Sequence, residues 1–291
     1  MTVLKIKGSR MFYRQAGAGT PVVLLHSSAS SGAQWKDTID ELRSRHRVIT
    51  PDLPGYGSSE VDQTQPADSL DTDAMAIVEL IDRFSEPVHL VGHSFGAAVA
   101  TKVAMFGGDR LRSLTLIEPA LFHLLRASGA DDQVLFQEIA CVEGVIAACA
   151  QDDDAAAGMA HFIDYWNGAG TWAALTPNVQ DMYTAQIGRV LRDFTASRNE
   201  SWGLERAARI SCPTFAYLGL DSRTVTQRTT EMLAETIPNA SLTMVAEADH
   251  MLPLTHPHVI APALKRHFAA AEVAEQNLMA PHAEFLPRRV A

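Results

Sequence analysis

Val88-His89-Leu90-Val91-Gly92-His93-Ser94-Phe95-Gly96-Ala97-Ala98-Val99-Ala100 is the stretch whose reading decides the fold. Pro87 introduces the short apolar run Val88 to Val91, which has the length and composition of a buried parallel strand. Ala97, Ala98, Val99 and Ala100 are small residues that open a helix able to pack close to that strand. Between them lies Gly92-x-Ser94-x-Gly96, the pattern of a nucleophile elbow. So sharp a turn puts the serine in strained backbone angles, and the flanking glycines relieve the crowding. The serine oxygen then stands at the carboxyl edge of a sheet, with the partial positive charge of a helix N-terminus behind it.

Upstream of the elbow, residues 3–15 alternate and read as one or two strands of an antiparallel hairpin, followed by the turn Gly17-Ala18-Gly19. Pro21 to Leu25 is a buried strand that ends in the polar loop His26-Ser27-Ser28-Ala29-Ser30-Ser31-Gly32. Trp35, Ile39 and Leu42 give the next helix one apolar face. Arg47 to Thr50 is a strand closed by Pro51-Asp52-Leu53-Pro54-Gly55-Tyr56-Gly57-Ser58-Ser59, dense in turn formers. A helix is predicted over roughly 69–84, with Ala74, Ile77, Val78 and Ile81 on one face. Downstream of the elbow, Leu114 to Ile117 is another buried strand, closed by Glu118-Pro119.

From about 120 to 205 the alternation of strand and helix gives way to helical patterns rich in aromatics, interrupted by Asp152-Asp153-Asp154 and Asn167-Gly168-Ala169-Gly170. This region reads as a helical cap inserted over the sheet, its aromatics as core first and pocket lining second. The adjacent acids suit a solvated turn better than a metal loop. Sheet pattern resumes at Pro213 to Gly219, a helix follows over about 226–236, and Leu242 to Val245 is the last strand. After Asp249-His250 comes a helix in which Ile260, Leu264, His267 and Phe268 share a face. The expected fold class is α/β, a mostly parallel central sheet flanked by helices. Its core is 1–119 and 206–270, its cap 120–205, and its C-terminal tail 271–291, helical at first and a candidate for association into a homo-oligomer beyond Pro281.

At 291 residues, 47% of them hydrophobic, the chain can bury a large core. The net charge of −10 argues against nucleic acid and anionic membrane as partners, since both need basic surface. No apolar run is expected to approach membrane-spanning length. Met1 to Lys7 lacks the basic-then-apolar arrangement of a signal peptide. Cys141 and Cys149 lie in one predicted helix, about 12 Å apart, too far to bridge, and a reducing cytoplasmic setting is the default expectation.

These motifs together resemble the α/β-hydrolase fold superfamily: the His26 loop, the Asp52 to Ser59 turn, the Ser94 elbow, and the segment from Gly219 to His250. The resemblance covers roughly 10–120 and 205–270. It implies Ser94 as nucleophile and His250 as its base, in the family order serine, acid, histidine. In most relatives the acid lies three residues beyond the glycine matching Gly219, a slot that here holds Ser222. Two candidates follow: Asp221, one residue early, and Glu118, at the end of the strand after the elbow helix, where some relatives carry it. The serine in the usual slot favours Glu118, and both stay open; Asp249, beside His250, ranks third. The oxyanion hole is implied to use the backbone N–H groups of Phe95 and Ser28, although Ser27 stands where the family usually has glycine. His93 is read as elbow packing and the Asp52 to Ser59 turn as structural.

The implied activity is that of a serine hydrolase acting through an acyl-enzyme on an ester, lactone or related carbonyl of a small, partly apolar molecule, its only expected partner. C–C bond hydrolysis and cofactor-free perhydrolysis are alternatives on the same fold. Serine at the elbow argues against epoxide hydrolase and haloalkane dehalogenase chemistry, whose enzymes carry aspartate there. Neither a dinucleotide fingerprint nor a metal cluster is apparent, so no cofactor and no metal are expected. The reading from another class is a non-catalytic ligand receptor on the hydrolase fold.

Overall fold

The computed structural model describes residues 2–6, 9–61 and 69–279. Its strands are β1 (Thr2–Ile6), β2 (Ser9–Ala16), β3 (Thr20–Leu25), β4 (His46–Pro51), β5 (Val88–His93), β6 (Leu111–Ile117), β7 (Thr214–Gly219) and β8 (Ala240–Val245). They form one sheet in the order β1-β2-β4-β3-β5-β6-β7-β8. Only β2 runs against its neighbours, pairing antiparallel with β1 and with β4; every other pairing is parallel. Helices α1 (Lys36–Leu42), α2 (Asp71–Ile81) and α3 (Phe95–Gly107) alternate with the strands. The cap follows β6 as α4 (Ala130–Gln151), α5 (Ala155–Asn167), α6 (Thr171–Ala174), α7 (Pro177–Thr184), α8 (Ile187–Asn199) and α9 (Leu204–Ala207). The core resumes with α10 (Thr224–Thr236) after β7, then α11 (Leu252–Thr255) and α12 (Pro257–Met279) after β8.

Both faces of the sheet are covered, which is why its strands read as continuous apolar runs rather than alternating ones. Successive side chains of β3 go to opposite sides: Val23 and Leu25 join the core under α2, α3 and the cap, while Val22 and Leu24 join the core under α1 and α12. On the second face Trp35, Tyr217 and Phe268 are fully buried. Burying each such side chain contributes on the order of 2–3 kcal/mol.

The elbow glycines have a steric cause. A Cβ on Gly92 would run into the Gly96 carbonyl, and one on Gly96 into the carbonyls of Leu25 and His26. Helix α3 therefore approaches β3 and β5 at backbone distance, and it carries Ser94 on its entry turn at the centre of the sheet. The cap is tied back near the other end of α3, where Lys102 Nζ meets Glu200 Oε2 at 2.6 Å and Asp71 Oδ1 at 2.9 Å.

Several expectations change. Regular α2 ends at Ile81, and the chain reaches Phe84 through tighter turns closed by Arg83 N–H to Leu80 O and Phe84 N–H to Ile81 O. Helix α4 is, by length and composition, apolar enough to cross a membrane, contrary to the expectation that no run approaches that length. It is built into the cap, with Glu138 accepting from Tyr165 Oη at 2.6 Å and Ile139, Val142 and Ile146 buried. The acidic triplet is the turn between α4 and α5: Asp153 has φ +57°, and Asp154 caps α5 by accepting from Ala157 N–H at 3.1 Å. Helix α12 runs unbroken through residues 271–279. The segment beyond Pro281, expected to mediate association, lies outside the described residues.

Candidate active site

Ser94 adopts φ +54° and ψ −118°, an outlier for a residue with a side chain. Its peptide groups are held from every side. The N–H donates to Ile117 O at 2.9 Å, and the carbonyl accepts from Ala97 and Ala98 at 3.0 Å and from Ala120 at 3.1 Å. Surroundings that over-determine the conformation are what allow such strain to persist.

The loop after β8 brings His250 to this serine, its Nε2 3.0 Å from Ser94 Oγ. On the other side of the ring, Nδ1 is 2.6 Å from Glu118 Oε2. A carboxylate there requires Nδ1 to carry the proton, which leaves Nε2 as an acceptor facing the serine hydroxyl. The sequence-expected Ser94, His250 and Glu118 thus form one hydrogen-bonded chain.

Glu118 is fully buried and directly follows β6, with φ +46°. Its Oε1 accepts from Gly219 N–H at 2.7 Å and from the Ser222 hydroxyl, and its Oε2 also accepts from Thr226 Oγ1 at 2.9 Å. Burial alone would raise its pKa, but the bond and charge of His250 together with these donors hold it below the usual carboxylate range. The Ser222 hydroxyl thus helps to solvate the buried Glu118 carboxylate, at a position where a second carboxylate would repel it.

Asp221 does not reach the histidine. Its N–H donates to Ala248 O at 2.9 Å, which fixes the register of the loop, and its side chain is exposed. The one-residue shift that would carry it to His250 does not occur. Asp249 turns away to accept from Met251 N–H at 2.9 Å.

His93 is more than packing. Its Nε2 donates to the His250 carbonyl at 2.7 Å, and its Nδ1 lies 3.1 Å from Gln34 Nε2. Gln34 Oε1 accepts from Ser27 N–H at 3.0 Å and from Ser27 Oγ at 2.9 Å. Burial, with the neighbouring His250, pushes His93 down to about 3, so the ring stays neutral and can accept from the amide. One chain of bonds, Ser27–Gln34–His93–His250, links the loop after β3 to the backbone of the histidine loop. Nothing in the sequence pattern singled out Gln34.

His26 is fully buried, and burial lowers its pKa to about 4. Its Nδ1 donates to Ser27 O at 2.7 Å and its Nε2 accepts from Leu53 N–H at 2.9 Å, tying together the loops after β3 and β4. Asp52 completes that joint, accepting from Gly32 N–H at 2.9 Å, Ser58 N–H at 3.0 Å and Arg14 at 3.0 Å.

Ser28 lines the cavity above Ser94, and Phe95 directly follows Ser94 in the chain. Phe95 is the first residue of α3, so its N–H is among those a helix leaves without an intrahelical acceptor. Ser28 lines the cavity, and its hydroxyl donates to Asp193 Oδ2 of the cap at 2.5 Å. The cavity, about 80 Å³ in volume, lies between the sheet edge and the cap. Phe122, Phe162, Trp166, Phe194 and Leu254 make most of its wall apolar. The Trp166 indole lies over the His250 ring, centroids 4.5 Å apart and planes inclined by 34°. These aromatics pack on one another and face the cavity, so core and lining are one set of residues.

The family model described as "Alpha/beta hydrolase family" matches residues 22–263. Over 116 residues the chain is 35% identical to the soluble epoxide hydrolase of Corynebacterium sp. (strain C12), 39% of each protein. Over 108 residues it is 39% identical to the pimeloyl-[acyl-carrier protein] methyl ester esterase of Methylococcus capsulatus, covering 37% of this chain and 40% of that one. These matches thus span about two fifths of the relatives' own length. Among solved structures, bromoperoxidase from Bacillus anthracis superposes with a TM-score of 0.76 at 22% identity, over 92% of this chain and 99% of that one, a likeness of fold. The strand order, the reversed β2, the serine elbow after β5 and the helical insertion after β6 agree with the match, and the chain belongs to the alpha/beta hydrolase family.

Proposed function

We propose that the protein is a serine hydrolase that cleaves an ester or lactone of a small, largely apolar molecule through an acyl-enzyme. The observation that carries this reading is the chain Ser94 Oγ–His250 Nε2, His250 Nδ1–Glu118 Oε2, at 3.0 Å and 2.6 Å. His250 takes the hydroxyl proton as Ser94 attacks the carbonyl carbon, and Glu118 stabilises the imidazolium that forms. The N–H groups of Ser28 and Phe95 receive the oxyanion. His250 returns the proton to the leaving oxygen, the tetrahedral adduct collapses, and the acyl-enzyme remains. Water, deprotonated by the same histidine, then adds to the acyl carbon, releasing the acid and restoring Ser94.

The aromatic wall supports an apolar substrate, and the volume near 80 Å³ supports a small one. One relative's name includes methyl ester esterase, which agrees with this chemistry, while serine in the elbow separates this chain from the epoxide-opening reading. Stopped-flow release of p-nitrophenol from p-nitrophenyl butyrate tests the proposal. A burst followed by steady turnover is expected. Saturable binding without release contradicts it and favours a receptor.

A further inference from the structure

Asp193, in cap helix α8, is a buried carboxylate without a part in the reaction above. Its Oδ2 accepts from the Tyr56 hydroxyl at 2.6 Å and from the Ser28 hydroxyl at 2.5 Å. Its Oδ1 lies 3.1 Å from Arg189 Nη2, but Arg189 already donates to Asp73 Oδ1 of α2 at 2.8 Å. Two carboxylates thus share one guanidinium, itself wedged over the rings of Tyr56 and Phe95, 5.2 Å and 5.3 Å from their centroids. The sum of Asp73, Arg189 and Asp193 is one uncompensated negative charge. It sits at the cavity, because Asp193 lines the wall and Arg189 does not. Among the described residues lining that cavity there is no lysine or arginine.

We infer that Asp193 is a specificity-determining residue that makes the site reject substrates carrying a carboxylate near the scissile carbonyl and accept uncharged ones. This rests on the hydrolase reading above and deepens it. A carboxylate entering the cavity meets Asp193 within a few ångströms, in a space walled by aromatics where repulsion is poorly screened, and it finds no cation to pair with. The arrangement also costs stability. Burial and Asp73 raise the pKa of Asp193 to about 6, against the pull of Arg189 and the two hydroxyls, so near neutral pH the fold carries a charge it would shed if it could. A hydroxyl or amide could hold Ser28 and Tyr56 without that cost; the charge adds direct repulsion of an anion to the desolvation penalty of the aromatic wall.

The test uses two matched pairs of esters on the intact protein. p-Nitrophenyl pentanoate against mono-p-nitrophenyl glutarate places the charge on the acyl side. Methyl 4-acetoxybenzoate against 4-acetoxybenzoate places it on the alcohol side. At pH 8, after correction for intrinsic reactivity toward hydroxide, kcat/KM is expected to favour the neutral member roughly 10- to 100-fold in at least one pair. Asp193→Asn is expected to reduce that ratio at least about tenfold. Equal kcat/KM within both pairs for wild type overturns the inference and leaves the hydrolase reading intact, as does a preference that survives Asp193→Asn. Where Asp193→Asn does not fold, a wild-type ratio that rises as pH passes through about 6 assigns the preference to the Asp193 charge, and a ratio flat across that range overturns the inference. Lack of turnover of all the esters instead overturns the hydrolase reading and the inference with it.

Discussion

Glu118 in the core and Asp193 in the cap are both buried carboxylates beside the same cavity, and their surroundings push them in opposite directions. Glu118 accepts from one peptide N–H, two hydroxyls and the His250 ring, and its pKa falls. Asp193 accepts from two hydroxyls, shares the Arg189 cation with Asp73, and its pKa rises to about 6. Burial is the largest influence on both and acts the same way on both. The count of donors and the exclusivity of the counter-charge decide the sign. Glu118 has donors on both carboxylate oxygens, whereas Asp193 Oδ1 has no hydrogen-bond donor among the described residues and only the shared Arg189 beside it.

The sharpest way to break this contrast is to neutralise Glu118. Glu118→Gln should lower kcat by about 10³–10⁴ by removing the partner that fixes the His250 tautomer, while Asp221→Asn leaves esterase kinetics at the wild-type level. Similar mild losses from both would remove Glu118 from the mechanism.

Next in size is Gln34→Ala, which severs the Ser27–Gln34–His93 chain at a residue that does not itself line the cavity. A small displacement of the histidine loop should cost about 10- to 100-fold in kcat with little change in KM. A pure KM effect would place Gln34 in binding rather than positioning.

Ser222→Ala removes one donor from Glu118 Oε1 and should cost several-fold in kcat, consistent with about 1–2 kcal/mol for an unsatisfied charged acceptor. With that donor gone the Glu118 pKa rises, so the acid limb of the rate profile should move to higher pH. An unmoved limb would mean that the serine does not stabilise the carboxylate.

Asp193 gives a test in stability rather than in rate. Its folded pKa of about 6 stands above the 3.8 of an ordinary aspartate, so the stability it confers when protonated is present below about pH 3.8 and lost as pH rises through about 6. The groups facing it are Arg189 of its own helix, Asp73 of α2, Tyr56, and Ser28 of the loop after β3. Asp193→Asn should therefore gain on wild type between pH 4 and pH 8, by up to about 3 kcal/mol in denaturant titrations. A gap that narrows with rising pH would show that Asp193 is stabilised as the anion.

What could be read in the sequence was mostly local. The elbow announces itself because strand, glycines, serine and small-residue helix are contiguous; the steric cause is local for Gly92, while that for Gly96 lies in the end of β3. The cap was legible as a change of period, and its acidic triplet as a turn. The acid stayed open between Glu118 and Asp221 because the choice depends on one loop's register, fixed by the Asp221 N–H to Ala248 O bond, which no pattern encodes. Asp193 was invisible for a stronger reason. Its partner Ser28 lies 165 positions away in the chain, and an acid on an amphipathic helix looks like any solvated residue until the packing turns it inward. Gln34 escaped in the same way, as a polar residue at a helix start whose three hydrogen bonds go to Ser27, in the loop before it, and to His93, at the end of β5.

The central claim is that Ser94 is activated by His250. Mass spectrometry after brief exposure to a fluorophosphonate, on wild type, Ser94→Ala and His250→Ala, tests it most directly. The account predicts rapid, stoichiometric modification of wild type at Ser94, none of Ser94→Ala, and labelling slowed by orders of magnitude in His250→Ala. Unmodified wild type in a folded sample, or equal labelling of His250→Ala, would contradict it.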